Sequence, residues 1–112
     1  MIDSQTIQRI HNLIDQGKFS ITVHAQEDIL KQNHNWSVDF IKECLKKGKL
    51  YSGRELYADD VRRHERYYCV HKHSIISINL VLICFIIEGG VVIIHMQPLN
   101  RNSKEGKIYF KS

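Results

Sequence analysis

Histidine is the residue type through which this chain can do proton chemistry near neutral pH. Seven histidines occur in 112 residues. His24 opens a segment of helical pattern at the end of a short β-like link, with Glu27 one turn later. His64, Arg66, His71 and His73 lie on or beside one strand-like run, and His95 ends another. Metal-free cleavage of RNA needs a base to take the 2′-hydroxyl proton, cations to stabilise the crowded phosphorane, and an acid to protonate the leaving oxygen. Imidazole, whose ordinary pKa lies near neutrality, suits both proton transfers, and the planar fork of arginine matches phosphate oxygens. His24, Arg66 and His95 are therefore the expected catalytic set, with Glu27 and Tyr109 behind them. Arg54, Arg62, Arg63 and Arg101 are the expected substrate-binding cations.

Plainer roles compete with each of these. A histidine at a helix start also serves by bonding a backbone group, a run of arginines also serves as a solvated face, and a strand-end histidine also sits at the edge of a core. His71 and His73, two apart, face one side of a strand at a spacing that metal sites use. No third ligand accompanies them, so no metal is expected. The chain holds no Walker loop and no GxGxxG, HExxH or GxSxG pattern, so no cofactor is expected either.

The elements that must position these residues centre on Leu80 to Ile94. Eight apolar residues, Leu80 to Ile87, precede Glu88, Gly89-Gly90 and a second apolar run, Val91 to Ile94. A Gly-Gly pair between β-branched runs predicts a hairpin, because primed turns need positive φ at their central residues. With Gly89 and Gly90 as the turn, Glu88 faces Val91, Ile86 faces Ile93 and Cys84 faces His95. The unbroken apolar run predicts a strand covered on both faces, with helices on at least one of them. Tyr67 to His71 predicts a third strand, with Tyr67 and Tyr68 on opposite faces.

Upstream, Asp3 and Ser4 can cap a helix over about residues 4 to 16, with Ile7, Ile10, Leu13 and Ile14 at helical spacing and Gly17 as its stop. Thr22 can cap a second helix over 24 to 33. The third, over 37 to 47, starts with Ser37 as N-cap, Asp39 in the first turn and Trp36 stapled onto Ile41. Leu50 to Tyr57 alternates enough for a strand, Ala58 to Arg63 reads as a loop, and Ile108 to Phe110 as a short edge strand. The predicted fold class is α+β: N-terminal helices packed on a four- to five-stranded, mainly antiparallel sheet, in one domain over residues 1–112.

Composition narrows the function classes. At 43% hydrophobic and 25% charged residues, the chain belongs with folded globular proteins. Its apolar runs are too short to span a bilayer as a helix and no signal-like segment opens it, so no membrane partner and a cytoplasmic location are expected. Three cysteines, Cys44, Cys69 and Cys84, each inside an apolar element, predict buried reduced thiols. The net charge of +4 permits an anionic partner.

Several segments together resemble a known family. An apolar link entering His-Ala at a helix start (ITVHAQEDI, Ile21 to Ile29), a helix closing on Lys-Lys-Gly before a strand (SVDFIKECLKKGKLY), and an Ile-His segment running to Pro98 resemble a small bacterial domain family of unassigned function. That family is similar to the BrnT and RelE-type toxins, in the broad group of barnase-like, EndoU-like and colicin-like ribonuclease folds. The resemblance covers about Ile21 to Phe110, and its motif maps onto His24, Ala25 and Ile94 through Pro98. This chain has Trp36 where such domains often carry a basic-glycine pair. The resemblance implies a helices-then-sheet fold, metal-independent RNA cleavage or inhibition of translation, and an antitoxin-like protein partner. The expected activity is thus that of a toxin-type endoribonuclease. The alternative is a non-catalytic module that uses the basic sheet face to hold RNA or a protein.

Overall fold

Capping residues and apolar spacing place the three N-terminal helices within a residue or two of their predicted bounds. The computed structural model describes residues 2–31, 37–56, 61, 65–72 and 80–111. Helix α1 runs Ser4–Asp15, where the Asp3 side chain accepts from the Thr6 N–H at 2.8 Å. That bond holds the Asp3 carboxyl below its usual range. Helix α2 spans Val23–Lys31 and α3 Val38–Lys47, the latter with Ser37 Oγ accepting from the Phe40 N–H at 3.1 Å. Trp36, residues 32–33 and most of the predicted Ala58 to Arg63 loop, including Arg62 and Arg63, lie outside the described residues, as do His64 and His73.

Five strands form one sheet: β1 (Phe19–Ile21), β2 (Lys49–Ser52), β3 (Arg66–Lys72), β4 (Leu80–Ile87) and β5 (Val91–Pro98), in the order β1-β5-β4-β3-β2. Among the described residues only the β1–β5 pair is parallel; the other three pairs are antiparallel. The class is α+β, as predicted. Side chains of β4 alternate between two cores. Val81, Ile83 and Phe85 join Ile10, Ile14, Ile41 and Leu45 of α1 and α3, whereas Leu82 and Cys84 join Tyr51, Leu56 and Tyr68. Tyr67 stacks on Phe85 at 5.5 Å in the first core while Tyr68 is buried in the second, so the two tyrosines do take opposite faces.

Two predicted strands are helical. Residues 53 to 56, expected to continue β2, form a single turn, α4 (Gly53–Leu56). A strand would carry Leu56 to the α3 side with Leu50, since residues an even number apart share a face. The turn instead delivers Leu56 into the second core beside Tyr51. Ile108 to Phe110, expected as an edge strand, lie in α5 (Lys104–Lys111). Its start is local hydrogen bonding: Ser103 Oγ accepts from the Gly106 N–H at 3.0 Å and the Ser103 carbonyl from the Lys107 N–H at 2.9 Å. Ile108 and Tyr109 then pack against the second core.

The hairpin turn also differs in register. Ile87, not Glu88, pairs with Val91, so Glu88, Gly89 and Gly90 form a three-residue turn with Gly89 at φ +68°. Phe85 pairs with Ile93, yet Cys84 pairs with His95, as the sequence predicts. The two registers are reconciled by a β-bulge that leaves Ile94 without a partner.

Candidate functional site

The bulge decides where His95 points. In an uninterrupted strand, residue 95 would follow Val91 and Ile93 into the first core, which both occupy fully buried. The extra residue reverses the alternation, so Met96 takes the buried place opposite Ile83 and His95 turns out beside Cys84. Strand β1 is only three residues long and pairs with Val91, Val92 and Ile93. The edge of β5 beyond that point is taken by α2, which packs against β5. A β edge with unpaired backbone groups is commonly covered in this way.

Helix α2 is pinned at its first turn. The Thr22 N–H donates to the Ile93 carbonyl at 3.0 Å, and Thr22 Oγ1 accepts from the Ala25 N–H at 3.1 Å, the cap predicted for it. Gln26 Nε2 donates to the Ile21 carbonyl at 3.0 Å. Ala25 is fully buried and Ile29 packs on the same core. His24 and Asp28 each precede one of these residues, so at 100° per residue both flank the buried stripe on one side and are four apart.

Three donor atoms converge there. His24 Nε2 lies 3.1 Å from His95 Nδ1, His95 Nδ1 lies 3.3 Å from Asp28 Oδ2, and His24 Nε2 lies 3.8 Å from Asp28 Oδ2. The two rings meet edge to face, with centroids 4.5 Å apart and an interplanar angle of 88°. The side chains of His24 and His95 are 58% and 42% exposed and that of Asp28 19%. The histidines are thus reachable from solvent while the carboxylate that joins them is held behind. A hydrogen bond between two ring nitrogens needs a proton on one and a lone pair on the other, so the contact pairs a donor imidazole with an acceptor imidazole.

Arg66 opens β3 and pairs with Ile86; Tyr68, two residues on, pairs with Cys84. Arg66 therefore shares the sheet face of Cys84 and His95, two strand spacings across and two residues along the ladder from His95, or about 12 Å in all between backbone positions. Burial pushes the Cys84 thiol up to about 12, while Arg66 pulls it down and Asp28 pushes it up by smaller amounts. Arg66 and Asp28 thus both act on the one side chain that lies between them in the sheet order. Among the described residues Arg66 has no ion-pair partner.

The other predicted residues fall elsewhere. Glu27 is exposed on α2, turned away from the buried stripe, and Asp28 occupies the place expected of it. Tyr109 sits on α5 with Lys49 of β2 over its ring at 5.4 Å, three strand spacings or about 14 Å from β5. Arg54 stands on α4, which packs on β2, β3 and α5 at the sheet's far side. Arg101 is stacked on the Phe110 ring, 4.0 Å from its centroid. His71 acts on Glu43 of α3 and so lies over the opposite face. Asp28 is the residue that sequence reasoning missed. Its signal was available: His-x-x-x-Asp spacing, with both members next to the buried stripe of a helix.

The site is thus a His–His–Asp cluster at the covered edge of an α+β sheet, with Arg66 on the same sheet face. Comparison of the chain with protein-family models, curated proteins and solved structures returns no match. No helix among the described residues is long and apolar enough to cross a membrane.

Proposed function

We propose that this chain is a toxin-type, metal-independent endoribonuclease whose acid–base pair is His24 and His95. The observation that carries this reading is the 3.1 Å contact between their ring nitrogens, made by residues 71 positions apart and joined by Asp28. Asp28 is nearer to His95 than to His24, and its contact at Nδ1 leaves Nε2 as the nitrogen of His95 that meets the substrate. His24, the more exposed ring, swings from its partner as RNA enters and takes the 2′-hydroxyl proton at Nε2. The 2′-oxygen attacks phosphorus, the bond to the 5′-oxygen breaks, and protonated His95 gives its Nε2 proton to that oxygen. Products are a 2′,3′-cyclic phosphate and a 5′-hydroxyl. The guanidinium of Arg66 balances charge on the phosphorane.

The cell compartment that fits is the cytoplasm, where RNA is present and where three buried, unpaired cysteines stay reduced. A protein partner of antitoxin type would bind over the same face and block it. The test is cleavage of a labelled RNA by the purified chain in chelator, compared with His24→Ala and His95→Ala. Each substitution is expected to slow cleavage by about 10²- to 10⁴-fold. Growth arrest of a bacterial host by the unsubstituted chain alone is the matching result in cells. Equal cleavage or equal tolerance overturns catalysis in favour of a module that only holds RNA or a protein.

A further inference from the structure

The geometry points to a binding site for a divalent transition-metal ion of the zinc class, ligated by His24 Nε2, Asp28 Oδ2 and His95 Nδ1. These three atoms lie within 4.8 Å of one another, and all are lone-pair acceptors unless a proton is placed on a ring. One proton between the rings satisfies two of the three atoms. A cation at the centre satisfies all three at once.

Distances decide the class of ion. Zinc bonds of about 2.0–2.1 Å at tetrahedral angles separate neighbouring ligand atoms by about 3.3–3.4 Å. Octahedral angles at the same bond length would bring them to about 2.9 Å. The observed edges are 3.1, 3.3 and 3.8 Å, which centre on the tetrahedral value. Two imidazoles and one carboxylate are a donor set suited to zinc and its neighbours and poorly suited to magnesium or calcium, which take oxygen. The exposure of both rings leaves the fourth position to water, as in zinc sites with three protein ligands.

Ligation has a consequence for the acid–base pair, and this clause rests on the proposed function. A metal on His24 Nε2 occupies the lone pair that would take the 2′-hydroxyl proton. A metal on His95 Nδ1 separates that ring from its orienting hydrogen bond to Asp28. The bound metal therefore switches cleavage off, and a chelator switches it on.

The closing experiment is titration of the purified full chain with zinc chloride by calorimetry, and with cobalt(II) followed by visible absorption. Expected are one ion per chain and the intense bands of tetrahedral cobalt. His24→Ala, Asp28→Ala and His95→Ala should each weaken binding by roughly tenfold or more, while His71→Ala, on the other face, should not. Circular dichroism of each metal-free variant checks folding, and His24, on the surface, is the substitution least able to disturb it. Absence of stoichiometric binding, or binding unchanged by the folded His24→Ala variant, overturns the site. RNA cleavage is read separately. Metal binding without cleavage in any state leaves the site standing and removes the ribonuclease reading; cleavage without metal binding does the reverse.

Discussion

Asp28 does for this site what neither histidine can do for itself. A carboxylate 3.3 Å from His95 Nδ1 holds one tautomer and one ring orientation. Asp28→Asn keeps the size of the side chain and removes its charge, so RNA cleavage is expected to fall by about 10²- to 10⁴-fold with KM little changed. A separate kcat and KM measurement checks this, since loss confined to KM would mean that Asp28 merely shapes the binding surface. The cysteines make a second prediction at this scale. Burial raises the Cys44 and Cys84 thiols from 9.0 to about 12. The folded chain keeps these protons where the unfolded chain releases them. Their contribution to stability is thus intact below pH 9 and is lost as pH rises from about 9 to about 12. Urea midpoints measured across that range should decline, and Cys84→Ala should flatten part of the decline. The same thiols should react with a thiol reagent only after denaturation.

Among the elements, the bulge in β5 has the most direct bearing on the site. Without Ile94, Phe85–Ile93 and Cys84–His95 become consecutive pairs of one regular ladder, and every side chain keeps its face. Deletion of Ile94 is therefore expected to leave the sheet folded. His95 then stays opposite Cys84 and follows directly on Ile93, whose carbonyl anchors the start of α2 through the Thr22 N–H. The deletion variant should show native-like circular dichroism and cleave RNA well above the level of His95→Ala, because the face of His95 and its partner Cys84 are unchanged. Cleavage as low as that of His95→Ala would mean that the local shape of the bulge, and not only the face it sets, holds His95 against His24.

At the scale of the whole molecule, the sheet is a wall between two cores of unequal size. Helices α1 and α3 and the inner stripe of α2 cover one face, and α4 and α5 the other. Phe85 is a large, fully buried side chain of the first core, packed on Tyr67. Phe85→Ala is expected to cost about 3–5 kcal/mol, read as a lowered denaturation midpoint with unchanged slope. A change under 1 kcal/mol would mean that the core refills the space, contrary to the close packing of folded interiors.

Much of this architecture was legible in local signals. Asp3, Thr22 and Ser37 cap helices through bonds to backbone groups three residues away, and such bonds depend on nothing distant. The β-branched runs around Gly89-Gly90 specified the hairpin for the same reason. Over Ile108 to Phe110 and residues 53 to 56 the local pattern misleads, because three or four residues are too few to separate a period of 2 from one of 3.6. What covers the second face settled both, and that is a tertiary matter. The site shows the division most clearly. His24 and His95 were identifiable as chemical groups from residue type and position, but Asp28 became their partner only when α2 docked on the open edge of β5. Whether His95 faces the core or the cluster depended on a one-residue bulge. A bulge arises where a turn register and a docking register differ by one, and only the folded sheet brings the two into competition.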